Sequence, residues 1–501
     1  MQLFDLLTRH DDRIALTADG RDYSYAALAD AALRVGAALR ARGLRAGDRV
    51  AFFLPNCAEL PIAYFGCFAA GLIAVPLNPR YRGAEVEYAV ADCTPRLLIA
   101  AAGLLDRLDG AQLTALGVAD VVVAGGRAPA GTRPFADLVA AAPLAAATAV
   151  AADHDAVVLY TSGSTGKPKG VIHTHASLLH TARHQVVSQA LDAGDVQLAF
   201  MGIAYIAAFA GQLLTSLQLG GRLVLLPHFD PAAVVDAIAR HGATRLQTGP
   251  ADLRDLVAAP PPPAGALASL RCCIAGGERI ADELHHRFAA WAGIALTEAC
   301  GMTEAYNYAM NPPFAAKRLG SFGLPTDGVT LRLQAADGSD ADEGEVLVRS
   351  DALARGYWNN PAATAAARRD GWLVTGDLAR RDADAWYWFV GRRKDIIIRG
   401  ASNVAPGEVE SVLLQHPAVA AAAVVGAPDA HDGHVNVAFV QLHRGAAASP
   451  EALRAFAAER LAEYKVPVRI VLRDLPLNAN GKVDRPALLA AANDVPTAGS
   501  R

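Results

Sequence analysis

The sequence predicts an α/β protein with a large N-terminal domain of layered sheets and helices and a small, mobile α+β C-terminal domain. Its 501 residues are too many for one compact core and suggest about two to four lobes. Through roughly the first 350 residues, short apolar runs alternate with helical stretches, which is typical of a mostly parallel sheet covered by helices on both faces. From Gly344 the segments become shorter, more charged and more β-like.

The first clear elements alternate between helix and strand. Tyr25–Arg42 has the 3.6-residue periodicity of a helix. Its apolar face is formed by Leu28, Ala32, Val35 and Leu39. Strands are predicted at Asp48–Leu54, Ile73–Val75 and Leu97–Ala101. This alternation indicates a parallel sheet.

Two uncharged runs raise the question of a membrane span, because the mean hydropathy is +0.21. Leu60–Leu77 approaches the roughly 18 residues that a span needs, but two prolines and two glycines divide it into a short helix and a short strand. Val196–Gly221 is interrupted by glutamines and lacks flanking Lys/Arg belts. The first residues contain acidic side chains before any long apolar run, unlike a signal peptide. We therefore expect no transmembrane segment.

Composition excludes several classes of protein. Lys and Arg total 46 against 50 Asp and Glu, a net charge of -4, so the chain offers no basic signal for nucleic-acid binding. Apolar residues make up 52%, which excludes general disorder. Six cysteines without a CxxC pair indicate reduced thiols and a cytoplasmic protein. Cys272 and Cys273 lie in an apolar strand and are expected in the core.

Two connectors interrupt the alternation, an Ala/Thr-rich segment at Ala141–Asp155 and a stiff proline run at Pro260–Pro263. From the change in character after Gly344 we expect a large N-terminal domain at residues 1–393 and a small C-terminal domain at residues 394–501.

The strongest local motif is the loop from Tyr160 to Gly170, which lies between two predicted strands. It contains four hydroxyl groups, three glycines and two lysines, and these groups suit an anion: backbone N–H groups and hydroxyls donate, while lysines balance charge. The glycine spacing differs from that of a Walker loop, and Pro168 stands where the magnesium-binding Ser or Thr would be. The motif therefore predicts a phosphate-binding loop of another kind.

This loop resembles the signature of the adenylate-forming enzymes, a superfamily of acyl-CoA synthetases, peptide-synthetase adenylation domains and firefly-type luciferases. Further motifs match in the family's order over nearly the whole chain. They are Gly276-Gly-Glu278, Cys300-Gly-Met-Thr-Glu304, Gly356-Tyr-Trp358, Gly371-Trp-Leu-Val-Thr-Gly-Asp377, Gly391-Arg-Arg-Lys-Asp395 and Leu475-Pro-Leu-Asn-Ala-Asn-Gly-Lys482. The chain is similar to acyl-CoA synthetases of the fatty-acid–CoA ligase type.

The resemblance implies attack of a carboxylate on the α-phosphate of ATP with Mg²⁺, release of pyrophosphate, and transfer of the acyl group to the thiol of CoA. Thr303 would donate to the α-phosphate and Glu304 would hold Mg²⁺. The β- and γ-phosphates would contact Thr161, Ser162, Gly163, Ser164, Thr165, Gly166, Lys167 and Lys169. The rest of the nucleotide would contact Gly276, Gly277, Glu278, Cys300, Gly301 and Met302. Asp377 would accept the ribose hydroxyls, with Arg392 beside it.

The resemblance implies that residues 1–393 form an ATP- and acyl-binding adenylation domain and that residues 394–501 form a mobile domain with the catalytic lysine. Lys482 would reach the carboxylate and the bridging phosphate oxygen as the main adenylation catalyst, and Lys394 would be the hinge between two orientations of the small domain. Gly400 and Ala401 would line the tunnel for the thiol arm, and Tyr205 is the expected gate.

The chain departs from the family pattern at three of these positions. Cys300 replaces a usual aromatic residue, Ala401 replaces a common glycine, and Tyr205 stands in a segment that often carries a histidine gate. Small side chains in the expected acyl wall favour a medium or longer acyl chain, or a ring. They are Ala204, Ala207, Ala208 and Gly211.

Two alternatives stay open at this point. The acceptor could be the phosphopantetheine of an acyl carrier protein, which presents the same thiol arm as CoA. The protein could also be a catalytically silent, nucleotide-binding protein that works as a membrane-associated adaptor, although the complete set of Lys167, Glu304, Asp377, Arg392 and Lys482 argues against it. The sequence leaves the identity of the acid and the oligomeric state open.

Two histidines stand four residues apart on a predicted helix, at His180 and His184. This spacing can bind a metal ion, but no Glu follows His180 as in an HExxH motif. The sequence therefore favours two histidines on an exposed helix face.

Overall fold

Helices and strands follow the predicted alternation in the computed structural model of the chain. The residues that it describes are 1–10, 12–108, 110–115, 117–118, 120–161, 168–277, 280–399, 402–429, 433–478 and 481–493. The α-helices are α1 (Tyr25–Ala41), α2 (Glu59–Ala70), α3 (Gly83–Cys93), α4 (Gly110–Ala115), α5 (Ala136–Val139), α6 (His175–Ser188), α7 (Ile206–Ala208), α8 (Thr215–Leu219), α9 (Pro231–His241), α10 (Pro250–Ala258), α11 (Asp282–Ala292), α12 (Pro361–Ala366), α13 (Pro406–Leu413), α14 (Pro450–Ala458) and α15 (Arg485–Asn493). Short 3₁₀-helices lie at Leu3–Thr8, Ala102–Arg107, Arg393–Asp395 and Glu463–Lys465, and a π-helix lies at Phe209–Leu214.

Most strands are short, and they occur along both the N-terminal and the C-terminal parts of the chain. They are β1 (Ile14–Ala18), β2 (Arg21–Ser24), β3 (Arg49–Phe53), β4 (Ile73–Pro76), β5 (Leu97–Ala101), β6 (Asp120–Ala124), β7 (Arg133–Pro134), β8 (Asp155–Thr161), β9 (Lys169–Thr174), β10 (Val196–Ala199), β11 (Arg222–Leu225), β12 (Arg245–Thr248), β13 (Cys272–Gly276), β14 (Thr297–Met302), β15 (Ala305–Met310), β16 (Ser321–Pro325), β17 (Thr330–Gln334), β18 (Glu343–Arg349), β19 (Gly356–Tyr357), β20 (Arg368–Arg369), β21 (Trp372–Arg381), β22 (Tyr387–Arg392), β23 (Ile397–Arg399), β24 (Ser402–Val404), β25 (Val419–Asp429), β26 (Gly433–Leu442) and β27 (Arg469–Leu472).

Helix α1 confirms the periodicity argument. It begins after Ser24, whose side-chain oxygen accepts a hydrogen bond from the Ala27 N–H over 3.1 Å and so caps the helix. The predicted apolar face is fully buried: Leu28, Ala32, Val35 and Leu39 have no exposed surface. Burial of this face against α2 is what stabilises the helix in place.

The chain divides into two compact units. The first consists of Met1–Arg318, Gly323–Leu331 and Val348–Leu373, and the second of Leu319–Phe322, Arg332–Leu347 and Val374–Arg501. Each unit is described by itself. The sequence predicts that a mobile domain begins at the boundary between residues 393 and 394. This boundary stays a prediction.

The first sheet of the first unit has the strand order β19-β9-β8-β4-β3-β5-β6-β7. Its centre is parallel, as predicted, because β3 pairs in parallel with β4 and β5, and β5 with β6. The uncharged run Leu60–Leu77 forms most of α2 and then β4, which also agrees with the sequence. Among the described residues, none of the helices is both long and apolar enough to cross a membrane.

The second sheet of the first unit includes the order β15-β14-β13-β12-β10-β11-β1-β2. Strands β10, β12, β13 and β14 are parallel to their neighbours, whereas β15 folds back against β14 as a hairpin. Cys272 and Cys273 are buried on β13, as expected. The carboxyl ends of β13 and β14 therefore lie side by side, and both carry predicted nucleotide-binding residues.

The second unit is α+β. Strands β24-β23-β26-β25 form a sheet in that order, and β27 pairs in parallel with β26. Successive residues of β26 belong to two different apolar clusters. Val440 belongs to a cluster with residues of α13 and α14, and Phe439 belongs to a cluster with residues of α15. This alternation is that of a strand buried on both faces.

Candidate active site

A β-hairpin frames the loop that is predicted to hold phosphates. Strands β8 and β9 are antiparallel, and Thr161 at the end of β8 is the register partner of Lys169 at the start of β9. The Thr161 hydroxyl donates to the Lys169 carbonyl oxygen over 3.5 Å. Ser162, Gly163, Ser164, Thr165, Gly166 and Lys167 lie outside the described residues, so their part in phosphate binding stays a prediction.

A second hairpin places Thr303 and Glu304 in a tight turn. Met302 on β14 pairs with Ala305 on β15, which leaves Thr303 and Glu304 as the two turn residues. Nε2 of His173, on β9, donates to the Thr303 carbonyl oxygen over 2.8 Å. Burial lowers the pKa of His173 to about 4, so its ring is neutral near pH 7 and keeps one N–H for this bond. The bond ties the turn to β9.

Tyr357 brings the motif at Gly356–Trp358 into the same place. Strand β19 pairs with β9, and the Tyr357 hydroxyl donates to Oε1 of Glu304 over 2.6 Å. Nζ of Lys169 lies 5.1 Å from the centre of the Tyr357 ring. Burial, together with the nearby Glu304 charge, raises the pKa of Tyr357, so the hydroxyl is a neutral donor at pH 7. Lys169, Glu304 and Tyr357, which are far apart in the sequence, therefore lie close together.

Sequence reasoning missed the parts that His173 and Tyr357 play. His173 ends an apolar strand, and Tyr357 is the centre of a motif that was noted only as a family match. Their polar side chains were the available signal, but their partners became visible only when the strands paired.

The Glu304 carboxylate fits a hard divalent cation. A carboxylate has acceptor capacity on two oxygens, so the single bond from Tyr357 does not exhaust it. Mg²⁺ prefers carboxylate and phosphate oxygens, and the Tyr357 bond holds this group in one orientation.

Gly276 lets two strands approach closely at the predicted nucleotide site. It is the register partner of Ala299, and a Cβ at Gly276 would lie 2.2 Å from the Ala299 carbonyl oxygen. Gly277 follows with φ +92°, a conformation that L side chains rarely adopt. The close approach to β14 and the positive φ therefore both call for glycine at the end of β13. Glu278 lies outside the described residues.

Cys300, Gly301 and Met302 form the end of β14. The Cys300 thiol donates to the Tyr308 hydroxyl over 3.0 Å across the hairpin. A Cβ at Gly301 would lie 2.3 Å from the Asn307 nitrogen, so a glycine is needed where the hairpin tightens. The turn with Thr303 follows directly after Met302. The contacts of Cys300, Gly301 and Met302 with a nucleotide stay predictions.

In the second unit, Asp377 and Arg392 face each other on β21 and β22. They are register partners, and Nε of Arg392 lies 3.1 Å from Oδ1 of Asp377. Asp377 is buried, and its backbone N–H donates to the Thr375 hydroxyl over 3.0 Å. Arg392 thus lies beside Asp377. The contact of the two residues with the ribose stays a prediction.

Lys394 and Lys482 also belong to the second unit. Lys394 is the middle residue of the 3₁₀-helix Arg393–Asp395. Lys482 is exposed in a tight turn: the Asn478 N–H donates to its carbonyl oxygen over 2.7 Å, and its own N–H donates to the Asn478 side chain over 3.2 Å. The hinge and catalytic roles stay predictions.

The expected gate and acyl wall lie around the π-helix Phe209–Leu214. Tyr205 immediately precedes α7, and burial raises the pKa of its hydroxyl. A Cβ at Gly211 would lie 2.1 Å from the Tyr306 hydroxyl oxygen, which accepts a hydrogen bond from Gln247. The Tyr306 ring therefore fills the space that the absent side chain of Gly211 leaves. Gly400 and Ala401 lie outside the described residues.

Comparison with known proteins gives two family-model matches. Residues 4–358 match the AMP-binding enzyme model, and residues 408–482 match the AMP-binding enzyme C-terminal domain. A long-chain-fatty-acid–CoA ligase of Bacillus subtilis (strain 168) is 31% identical over 97% of this chain and 93% of its own length. A feruloyl-CoA synthase of an Amycolatopsis species is 34% identical over 93% of each chain.

Solved structures show the same likeness to this chain. The ATP-bound MatB from Rhodopseudomonas palustris has a TM-score of 0.91 and 31% identity, over 99% of both chains. A benzoate CoA ligase from Burkholderia xenovorans LB400 has a TM-score of 0.88 and 29% identity, over 97% of this chain and 98% of its own. From its motifs, its fold and these likenesses, the chain belongs to the AMP-binding enzyme family, within the adenylate-forming superfamily.

Proposed function

We propose that the protein is an AMP-forming acid–CoA ligase whose adenylation site is built on Lys169, Thr303, Glu304 and Tyr357. In the first step a carboxylate attacks the α-phosphate of ATP to give an acyl-adenylate, and pyrophosphate leaves. In the second step the CoA thiol attacks the acyl carbon and AMP leaves. The observation that supports this site most is the 2.6 Å bond from Tyr357 to Glu304, next to Lys169.

Phosphoryl-type transfer depends mainly on positioning and on neutralisation of charge. Bound Mg²⁺ would supply positive charge at the phosphate oxygens, and Glu304 is the residue that would hold it. Tyr357 orients Glu304, and His173 holds the backbone of Thr303 so that its hydroxyl is presented from a fixed turn. Lys169 adds a cation at the base of the phosphate loop.

The proposal assigns the remaining roles to residues of the second unit. Asp377 would accept the ribose hydroxyls with Arg392 beside it, and Lys482 would stabilise the charge that develops between the carboxylate and the α-phosphate. Lys394 would act as the hinge, and residues 394–501 would move as a body between the two half-reactions. The family relationship and the residue matches support these assignments.

We propose a carboxylic acid with a medium or longer chain, or a ring, as the substrate. Relatives named for long-chain fatty acids, ferulate and indoleacetate support this range. CoA is the favoured acceptor, because those relatives are CoA ligases. A carrier-protein phosphopantetheine is the second candidate, and a cytoplasmic location is part of the proposal on the basis of the cysteine pattern.

A panel of carboxylic acids, assayed by pyrophosphate release with ATP and Mg²⁺, tests the function. We expect release that depends on the acid for at least one class. Lys482→Ala should abolish this release while ATP binding stays nearly intact, and Arg473→Ala, which removes another exposed cation of the second unit, should leave both unchanged. Unchanged release by Lys482→Ala would remove the catalytic assignment, and no release with any acid would favour a silent nucleotide-binding protein.

The acceptor is tested with the best acid of that panel. Thioester formation is measured with free CoA and, in parallel, with purified acyl carrier proteins. Rapid thioester formation with CoA supports the proposal. Negligible product with CoA together with acylated carrier protein would make the protein an acyl-carrier ligase.

A further inference from the structure

Helix α6 carries a cluster of metal-ligating side chains outside the proposed adenylation site. His180 and His184 stand one helical turn apart, and Asp351 lies against both of them. Nδ1 of His180 is 2.8 Å from Oδ2 of Asp351, and Nε2 of His184 is 3.4 Å from Oδ1. One ligand atom from each of the three residues lies within 4.8 Å of the others.

The structure corrects the expectation that both histidines lie on an exposed helix face. The side chain of His184 is only 9% exposed, whereas those of His180 and Asp351 are 31% and 52% exposed. Gly328 covers the His184 ring so closely that a Cβ there would lie 2.1 Å from the ring atoms. The third ligand could not be read from the sequence, because Asp351 comes from a distant segment after β18.

The ring of His184 presents Nε2, and not Nδ1, to Asp351. Its Nδ1 is buried and has no hydrogen-bond partner among the described residues. If the proton is on Nδ1, a donor is buried without an acceptor, and the lone pair of Nε2 faces a carboxylate. If the proton is on Nε2, it makes a long bond of 3.4 Å to Asp351, and Nδ1 is a buried acceptor without a donor. A cation between Nε2 and Asp351 would remove the repulsion of the first arrangement.

We propose that His180, His184 and Asp351 form a binding site for a divalent transition metal ion, with Zn²⁺ as the best match. Two imidazoles and one carboxylate are ligands of known zinc sites that leave a fourth position open. Ligands about 2.0–2.1 Å from a tetrahedral ion are roughly 3.3 Å apart. Each histidine nitrogen lies near that separation from one oxygen of Asp351, at 2.8 Å from Oδ2 for His180 and 3.4 Å from Oδ1 for His184.

Arg183 competes with the metal at this site. Its guanidinium lies 2.6 Å from Nδ1 of His180 and donates to that nitrogen when it carries no proton, so arginine and metal ion would compete for the same lone pair. The arginine is exposed and can swing into solvent. Bound metal would then join α6 to the segment that leads to Tyr357, so it would stabilise the first unit.

The test uses the full chain, stripped with a chelator and kept free of ATP and Mg²⁺. Calorimetric titration with Zn²⁺, and the visible absorption of Co²⁺ in a tetrahedral site, report binding. We expect one ion per chain and a rise in the thermal unfolding midpoint. His180→Gln, His184→Gln and Asp351→Asn should each weaken binding at least about tenfold, because even residues that only orient a ligand contribute that much.

His286→Gln is the matched control, since it removes an exposed histidine from another helix, and it should leave binding unchanged. Arg183→Gln should bind Zn²⁺ more tightly than the wild type. If His184→Gln fails to fold, the partly exposed His180 and Asp351 variants decide the result. Absence of binding by the wild type, or binding that survives both of those variants, would overturn the proposal and leave the cluster as a simple ion pair.

Discussion

Removal of the Tyr357 hydroxyl is the sharpest test of the adenylation site. The hydroxyl donates to Oε1 of Glu304 over 2.6 Å, a short bond to a charged group. Such bonds contribute about 1.5–3 kcal/mol. Because Glu304 is only half-buried and water can replace part of the lost bond, we expect the lower value for Tyr357→Phe. A loss of about 1.5 kcal/mol at the transition state lowers kcat/KM about tenfold.

The measurement is acid-dependent pyrophosphate release over a range of Mg²⁺ concentrations. Tyr357→Phe should show the tenfold fall in kcat/KM for ATP and should need more Mg²⁺ for half-maximal rate. Tyr464→Phe, at an exposed tyrosine of the second unit, serves as the control. If Tyr357 acts through Glu304, its substitution should have little further effect in a Glu304→Gln background. A tenfold effect in both backgrounds, or no effect in the wild type, would refute the reasoning.

Two further predictions concern the framework of the site. Gly276→Ala should lower the free energy of unfolding by about 1–3 kcal/mol in urea, because the new Cβ forces a shift of about 1 Å against the Ala299 carbonyl oxygen. Gly103→Ala, where nothing lies within 4 Å, is the control, and equal stability of both variants would contradict the argument. The pKa of His173 is lowered by burial from 6.5 to about 4, so the fold favours the neutral ring; this contribution is complete above pH 6.5 and is lost as the pH falls toward 4. Over that range the stability of the wild type should fall by about 3 kcal/mol more than that of His173→Gln, which can still donate to Thr303, and parallel pH profiles would contradict this.

Local sequence patterns predicted most of the first unit's framework. The helix at Tyr25, the parallel strands and the two strands on either side of the phosphate loop each depend on periodicity, capping or turn residues within a short stretch. The run Leu60–Leu77 is apolar because both of its elements are buried in the core, which its prolines and glycines already indicated. Such features are local, so one sequence contains the information needed to find them.

The acyl region shows where a local pattern stops being informative. The small residues Ala204, Ala207, Ala208 and Gly211 suggested open space in the wall of the acyl pocket. The structure places the Tyr306 ring directly against Gly211, so the small residue in the π-helix accommodates a large neighbour from strand β15. The free volume in a core depends on the side chains from both packed elements, and residues 204–211 belong to only one of them.

The sequence by itself determined the family, the reaction class and the order of the functional motifs, because these depend on residue types at fixed short spacings. Tertiary structure alone decided which of those residues act together. Tyr357 reaches Glu304, and Asp351 reaches His184, only because strands and segments far apart in the chain are paired or packed side by side. Hydrogen bonds and metal sites need atoms within about 3 Å of each other, and no local periodicity specifies such a distance between remote segments.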